Sequence, residues 1–277
     1  MDAADRVRGR ARAHVRGADM SSTPVFPSSA TVRTREKLVL RGGAWKVCDL
    51  AVRYGVFDHP AGGRCLIDTG YSPRVTSGKR GLFLRAYASI LKPQLSPQAL
   101  PKAEPKVDTI LLTHLHADHV SALRDYPDAR IIVRSDAARH FMSSGAFRRV
   151  KHGVFRELLP EDFLVRLEPL ENMARLEAPL GLGRGYDVFG DGSVLGVDLP
   201  GHMHGHVGYV WPKLETPLLY AADAQWLMRA TAEERMPGPP ARWIFHDVKA
   251  AIESGRRVAA FAKAGGRVVL CHDPEAP

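Results

Sequence analysis

The sequence predicts a single α+β domain, and three observations indicate it. Short apolar segments rich in β-branched residues recur from residue 37 onward, with glycine turns between them, and predict strands. Segments with apolar residues at helical spacing lie between these strands, for example residues 81–91 and 247–264. Histidine and aspartate side chains follow directly after several predicted strands, where loops gather at one edge of a sheet. Since the 277 residues contain no evident repeat or linker, one domain over residues 34–277 is the simplest reading.

The first 33 residues are expected to form a disordered N-terminal leader. Residues 1–19 are mostly Ala, Arg and Asp, and a segment rich in Ser, Thr and Pro continues to residue 31. Such a stretch has too little apolar surface to offset the entropy that ordering would cost. The sequence leaves open whether Met1 or Met20 is the true start of the chain.

The first group of elements is predicted over residues 46–112. Residues 46–57 and 64–67 are apolar and β-branched and flank a Gly-Gly turn, which predicts a hairpin that ends at the Asp-Thr-Gly turn of residues 68–70. Residues 81–91 predict a helix, whereas the four prolines of residues 92–106 indicate a loop. A strand over residues 107–112 then leads into a run rich in histidine.

The second group of elements follows that run. A helix is predicted to start near Asp118, followed by a strand at residues 131–133 and a helix from Ser135 towards Met142. Residues 163–210 alternate apolar and polar positions between glycine turns, which indicates a second set of antiparallel strands. The last elements are predicted to be a strand, one or two helices and a second strand, at residues 218–222, 247–264 and 267–270.

Composition excludes several classes of partner. The net charge is +9, but the basic residues are scattered, so no nucleic-acid partner is expected. No apolar stretch reaches the length of a membrane span, and the N-terminus lacks the apolar segment of a secretory signal. Three cysteines without a Cys-x-x-Cys pair argue against a disulfide framework and favour a reducing, cytoplasmic location.

Four segments carry side chains that bind transition metals. They are a His-x-His-x-Asp-His run at residues 114–119, a Gly-His pair at 201–202, Asp223, and Cys-His-Asp at 271–273. Two histidines one residue apart often serve only as polar side chains on the protein surface. Four metal-binding side chains in six positions directly after an apolar strand are hard to explain in that way. Imidazole and carboxylate ligands suit zinc, iron or manganese. The pattern therefore predicts two divalent metal ions, zinc in the first place, with iron or manganese as alternatives.

In this order the motifs resemble those of the metallo-β-lactamase superfamily, over residues 47–274. The resemblance implies a four-layer αββα sandwich with the metal site at one edge of its two sheets. It also implies two ligand sets that share Asp223 as a bridge: His114, His116 and His202 for the first ion, and Asp118, His119 and His272 for the second.

The resemblance implies further roles around the metals. Asp68, in the Asp-Thr-Gly turn, is expected to orient the histidines of the metal loop, with a simple turn cap as the alternative. His206 is expected to support the site rather than to bind metal, and Met203 stands where the family usually has Ser or Thr. The Cys271 thiol is expected to point away from the metals and to pack in the core.

Within this family the chain looks most like the compact lactonase branch, which includes acyl-homoserine lactonases. Asp223 stands where zinc β-lactamases have Cys or Ser, and His116 stands where diiron oxygen-reducing members have Glu. The chain ends five residues after His272, so it is expected to lack the C-terminal domain of glyoxalase II and the added domains of nuclease members.

The resemblance thus implies a hydrolase that opens a lactone or similar ester by attack of a metal-bridging hydroxide. Asp118 is expected to help the leaving oxygen depart. A thioesterase of the glyoxalase II type or a phosphodiesterase with the same metal centre is the alternative, and a metal-binding module without turnover is a further one. The expected partner is a small ester or lactone, and the acyl-chain preference and oligomeric state stay open.

Four residues are expected to contact the substrate: Trp226, Phe83, Tyr87 and His204. Trp226 stands where acyl-homoserine lactonases have Tyr, and its indole N–H can donate a hydrogen bond but is not a comparable acid. Phe83 and Tyr87, together with Leu82, lie on the helix predicted at residues 81–91 and are expected to line an apolar pocket beside the metals. A helix that only covers the sheet is the alternative.

Overall fold

The computed structural model describes residues 22–239 and 241–275, and these form three β-sheets with helices packed on them. The strands are β1 Ser28–Arg35, β2 Val47–Arg53, β3 Gly55–His59, β4 Gly63–Ile67, β5 Gln94–Leu95, β6 Thr109–Leu111, β7 Arg130–Val133, β8 Leu167–Pro169, β9 Arg175–Ala178, β10 Gly183–Asp187, β11 Leu195–Asp198, β12 Val207–Trp211, β13 Leu218–Ala222 and β14 Arg267–Leu270. The helices are α1 Glu36–Val39, α2 Pro73–Thr76, α3 Leu82–Leu91, α4 Ala117–Val120, α5 Ser135–Ser143, α6 Ala146–Lys151, α7 Phe163–Arg166, α8 Met228–Ala232 and α9 Val248–Lys263.

Two larger sheets face each other. The five-stranded sheet has the order β3-β4-β6-β7-β8, antiparallel for its first pair and parallel for the others. The six-stranded sheet has the order β14-β13-β12-β11-β10-β9 and is antiparallel except for the parallel pair β13 and β14. Phe57 of the first sheet contacts Trp211 of the second edge to face, with ring centroids 5.4 Å apart. These aromatic side chains join the two sheets through one core.

The residues of β13 show how the layers are arranged. Leu218 and Tyr220 belong to the core between the two sheets, whereas Leu219 and Ala221 belong to a second core with Val258 and Phe261 of α9. Because successive side chains of a strand point to opposite faces, the six-stranded sheet is covered on both sides. This accounts for the continuous apolar sequence of β13.

Helix α9 is a single helix of 16 residues and does not break at Gly255. Its N-cap residue Asp247 accepts a hydrogen bond from the backbone N–H of Ala250 at 3.0 Å, which stabilises the first turn. In the described ranges, none of the helices combines the length and the apolar character that crossing a membrane requires.

The predicted boundary of the leader at residue 33 is wrong. Strand β1 pairs antiparallel with β2 from Ser28 to Arg35, and Ser29 and Ala30 are fully buried. The segment is ordered because β2 and β5 satisfy its backbone on both sides, although its own side chains are mostly polar. Residues 1–21 of the predicted leader lie outside the described residues.

The predicted strand over residues 46–57 is divided at Tyr54. Its first part, β2, pairs with β1 in the small third sheet, and its second part, β3, pairs with β4 in the five-stranded sheet. The predicted hairpin is therefore formed by β3 and β4 alone. Helices α3 and α5, predicted from residue periodicity, are confirmed within one or two residues at each end.

Candidate metal centre

The predicted metal ligands meet at one edge of the two sheets. Asp68 follows β4, and the histidine-rich run follows β6, so both leave the carboxyl ends of neighbouring parallel strands. On the six-stranded sheet, Asp223 follows β13, His272 comes two residues after β14, and His202 lies in the loop from β11 to β12. Each ligand thus leaves a buried strand on a short connection, which holds it in place.

Three histidines and one carboxylate form a first cluster. Nδ1 of His116 lies 3.0 Å from Nε2 of His114 and 3.0 Å from Nε2 of His202. Oδ2 of Asp223 lies 3.2 Å from Nε2 of His202 and 3.8 Å from Nε2 of His114. All four side chains are buried, and one possible ligand atom of each lies within 4.8 Å of the others.

A second cluster lies on the other side of the same carboxylate. Nε2 of His272 is 3.3 Å from Oδ2 of Asp223 and 3.3 Å from Oδ2 of Asp118. Nε2 of His119 is 3.6 Å from Oδ1 of Asp223 and 3.6 Å from Oδ2 of Asp118. Asp223 therefore stands between the two clusters, where a bridging ligand would have to be.

These distances suit two metal ions. Ligand atoms about 2.0–2.2 Å from a tetrahedral ion are about 3.3–3.6 Å from one another. The second cluster has distances of 3.3–3.6 Å, and the first has distances of 3.0–3.8 Å around that range. Nε2 of His119 and Oδ1 of Asp223 are buried without a hydrogen-bond partner in the described part of the chain, which is costly unless an ion binds them. The residues present thus fit a dinuclear site, and the assignment of each ligand stays a prediction.

Electrostatics in the two clusters also favours bound cations. Burial lowers the pKa of His114 and of His116 well below the ordinary value, so both imidazoles are neutral and free to bind metal. Burial acts in the same direction on His119, but the carboxylates of Asp68 and Asp118 outweigh it and raise the pKa of His119. A group of buried carboxylates that stabilises one positive charge so strongly is suited to divalent ions.

Asp68 fixes the histidine-rich loop of residues 113–119 through hydrogen bonds. Its Oδ2 lies 2.7 Å from Nδ1 of His119 and accepts a hydrogen bond from Oγ1 of Thr113, while Oδ1 accepts one from the backbone N–H of Thr113. This carboxylate fixes the ring of His119 with Nε2 directed to the second cluster. Asp68 itself has a φ of 59°, a strained conformation at a functional position. The contacts agree with an orienting role and go beyond those of a turn cap.

The metal centre forms the floor of a cavity of about 760 Å³. Its walls are mainly apolar, with Arg33, Arg35 and Lys151 among them, and His116, Asp118, His202, Asp223 and His272 also line it. Tyr87 and Trp226 line the cavity as the sequence predicts, and Nε1 of Trp226 is a buried donor without a partner in the described residues.

Two of the residues predicted to contact the substrate do not line this cavity. Phe83 is half exposed and does not line the cavity, because the face of α3 that does so carries Tyr87, Ile90 and Leu91. His204 also lies outside it and contacts His140 and His246, with ring centroids 5.1 and 5.4 Å away. Leu82, expected beside Phe83, is exposed at the start of the helix.

Other contributors to the site were not expected from the sequence. Residues of β1 and β2, which lie outside the metal motifs, form one wall of the cavity: Val32, Arg33, Thr34, Arg35, Val47 and Leu50. The thiol of Cys271 was expected to point away from the metals, but it lies in the second cluster with His119, Asp223 and His272.

The chain is similar in sequence to known proteins. A family model described as the metallo-beta-lactamase superfamily matches residues 50–228. The chain is 26% identical over 245 residues to the N-acyl homoserine lactonase AttM of Azorhizobium caulinodans, and the match covers 82% of this chain and 84% of that protein.

Solved structures show the same fold. A quorum-quenching N-acyl homoserine lactone hydrolase matches with a TM-score of 0.66 and 17% identity, over 93% of this chain and 95% of that one. AidC, described as a dizinc quorum-quenching lactonase, matches with a TM-score of 0.60 and 14% identity, over 91% of this chain and 87% of that one. The predicted αββα sandwich is therefore confirmed.

Proposed function

Because the chain belongs to the metallo-β-lactamase superfamily, we propose that it is a dinuclear metal-dependent hydrolase that opens a lactone or a similar ester. The observation that carries the proposal is the pair of ligand clusters on either side of Asp223, at the floor of a largely apolar cavity. His114, His116 and His202 would hold one ion and Asp118, His119 and His272 the other. Zinc is proposed as the metal, since nitrogen and carboxylate ligands in near-tetrahedral spacing suit it.

Two divalent ions at these positions would supply an activated water at neutral pH and polarise the carbonyl group of the substrate. The protein contributes the arrangement around them. Asp118 lies at the boundary between the second cluster and the cavity. Burial raises the pKa of this carboxyl, but His119 and His272 outweigh that effect and keep it ionised. Asp118 can therefore accept a proton from the nucleophile and pass it to the leaving oxygen.

The lining of the cavity supports the proposal that the substrate carries an acyl chain. Above the ligands, its walls are formed by apolar side chains, among them Leu38, Val39, Leu91, Val150 and Ile244. Trp226 has a buried indole N–H without a partner in the described residues, and this donor is available to a carbonyl or ring oxygen of the substrate. An acyl lactone combines a polar ring for the metal floor with an apolar chain for these walls.

A substrate panel tests the proposal. The protein with zinc bound is assayed on acyl lactones of increasing chain length, on a thioester with the same acyl chain, and on a phosphodiester. The proposal predicts the highest kcat/KM for a lactone. A higher kcat/KM for the thioester or the phosphodiester would show that the enzyme belongs to that substrate class and not to the lactonases. No turnover by protein with both ions bound would indicate a metal-binding module without catalytic activity.

A further inference from the structure

The second cluster contains a thiol as well as imidazoles and carboxylates. One ligand atom each of His119, Asp223, Cys271 and His272 lies within 4.8 Å of the others, and all four residues are buried. Cys271 is fully buried, at 0% exposure. The thiol thus occupies a place among the donors of the second ion.

The orientation of Cys271 follows from where β14 ends. Val269 belongs to the core between the sheets, Leu270 packs on the opposite face against α9, and Cys271 returns to the inner side. His272 lies beyond the last strand residue, so the alternation of the strand no longer determines its direction. Both Cys271 and His272 can therefore face the metal edge of the sheet.

Two buried atoms beside this thiol indicate that a ligand belongs there. Nε2 of His119 and Oδ1 of Asp223 are buried and have no hydrogen-bond partner in the described ranges. Sγ of Cys271 donates a hydrogen bond of 3.5 Å to the carbonyl oxygen of Arg53. A thiol is a weak donor, so losing this contact when a sulfur–metal bond forms costs little.

We propose that Sγ of Cys271 is a ligand of the second metal ion, in addition to His119, His272, Asp223 and Asp118. As the sulfur–metal bond forms, the thiol releases its proton to solvent, and no oxidant or reductant is involved. A thiolate is a soft ligand, so this site favours zinc over manganese. The inference rests on the metal content of the proposed function and is independent of the substrate.

Cobalt substitution tests the proposal without any substrate. Co²⁺ bound by a thiolate gives a sulfur-to-metal charge-transfer absorption in the near ultraviolet, which nitrogen and oxygen ligands do not give. The native chain loaded with Co²⁺ should show this absorption, and Cys271→Ser should lose it while still binding cobalt. The chain offers two matched controls, Cys48→Ser and Cys65→Ser, which should both retain the absorption because neither thiol belongs to the clusters.

X-ray absorption at the zinc edge provides a second measurement. The native protein should show a zinc–sulfur distance of about 2.3 Å that is missing from Cys271→Ser and from Cys271→Ala. Circular dichroism of each variant verifies that it is folded before the comparison is made. Cobalt binding without the absorption in the native chain, or an absorption that persists in Cys271→Ser, would overturn the proposal. A chain that binds no metal at all would overturn the proposed function as well, so the two failures can be told apart.

Discussion

The backbone N–H of Asp223 donates a hydrogen bond to Nε2 of His206 over 3.2 Å. Nδ1 of the same ring lies 2.9 Å from the carbonyl oxygen of Leu199 and must carry the proton to donate to it. His206 is therefore the neutral Nδ1–H tautomer, and neither nitrogen has a lone pair left for a metal ion. Since Ala222 before Asp223 has a φ of 46°, this hydrogen bond also helps to hold a strained backbone in place.

His206→Ala is expected to loosen the bridging carboxylate. The backbone N–H of Asp223 would be buried without a partner, which costs about 1–3 kcal/mol of unfolding free energy. Loss of such a supporting contact should weaken metal binding by about 10–100-fold. Urea unfolding and chelator competition measure the two effects. His246→Ala removes an exposed imidazole and serves as the control. Unchanged metal affinity in His206→Ala would show that the bridge is held by other contacts.

The state of His206 also predicts a pH dependence. Burial, with a smaller effect of His202, lowers the pKa of His206 from 6.5 to about 3. Between these two pH values the unfolded chain binds a proton at this residue that the folded chain does not bind. The unfolding free energy therefore decreases as the pH falls from 6.5 towards 3. Nitrogen NMR of the metal-bound protein should show His206 neutral at pH 5, and a midpoint near 6.5 would contradict the assignment.

The sequence was informative about the site because each predicted ligand follows a buried strand within a few residues. Apolar strands such as β6 and β13 are recognisable from sequence, and their ends fix where His114 and Asp223 lie. The fold class could be predicted from the same strands and from the metal-binding motifs that follow them, which match the metallo-β-lactamase superfamily. Contacts made within one short connection could therefore be predicted.

Features that depend on contacts distant in sequence could not be predicted. Strand β1 has polar side chains and is ordered by pairing with β2 and β5, and neither pairing leaves a pattern in residues 28–35 themselves. The direction of Cys271 was inferred from His272 by strand alternation, but β14 ends at Leu270. The cavity face of α3 is set by the rotation of the helix, which places Leu91 rather than Phe83 on the wall.

Replacing Asp223 by Ala is expected to remove both ions together, because this residue belongs to both ligand clusters. The native protein should contain two transition-metal ions per chain. Activity of Asp223→Ala should fall by more than about 100-fold, since a direct ligand contributes at least as much as its outer partner. Metal analysis and kcat/KM measure this, with the exposed Asp128→Ala as the control. Full activity in rigorously metal-free native protein would refute the metal mechanism.

The position of β1 predicts two different outcomes for shortened chains. A chain that begins at Met20 should keep its melting temperature and activity, because it retains the backbone hydrogen bond from Ser22 to Asp58 and all of β1. A chain that begins at Glu36 loses β1 and with it part of one wall of the cavity, so its melting temperature should fall by more than about 10 °C. Thermal unfolding followed by circular dichroism compares them. A normal melting temperature for the shorter chain would mean that β1 contributes little.

Substitutions on one helix should separate the cavity wall from the outer surface. Leu91 and Phe83 both belong to α3, but only Leu91 lines the cavity. Leu91→Ala, like Trp226→Ala, should raise KM for long acyl lactones more than for short ones. Each methylene left without a partner costs about 0.8 kcal/mol, which is about a fourfold change in KM. Phe83→Ala is the matched control and should leave KM unchanged for both chain lengths. Equal effects of Leu91→Ala on short and long substrates would place the acyl chain elsewhere.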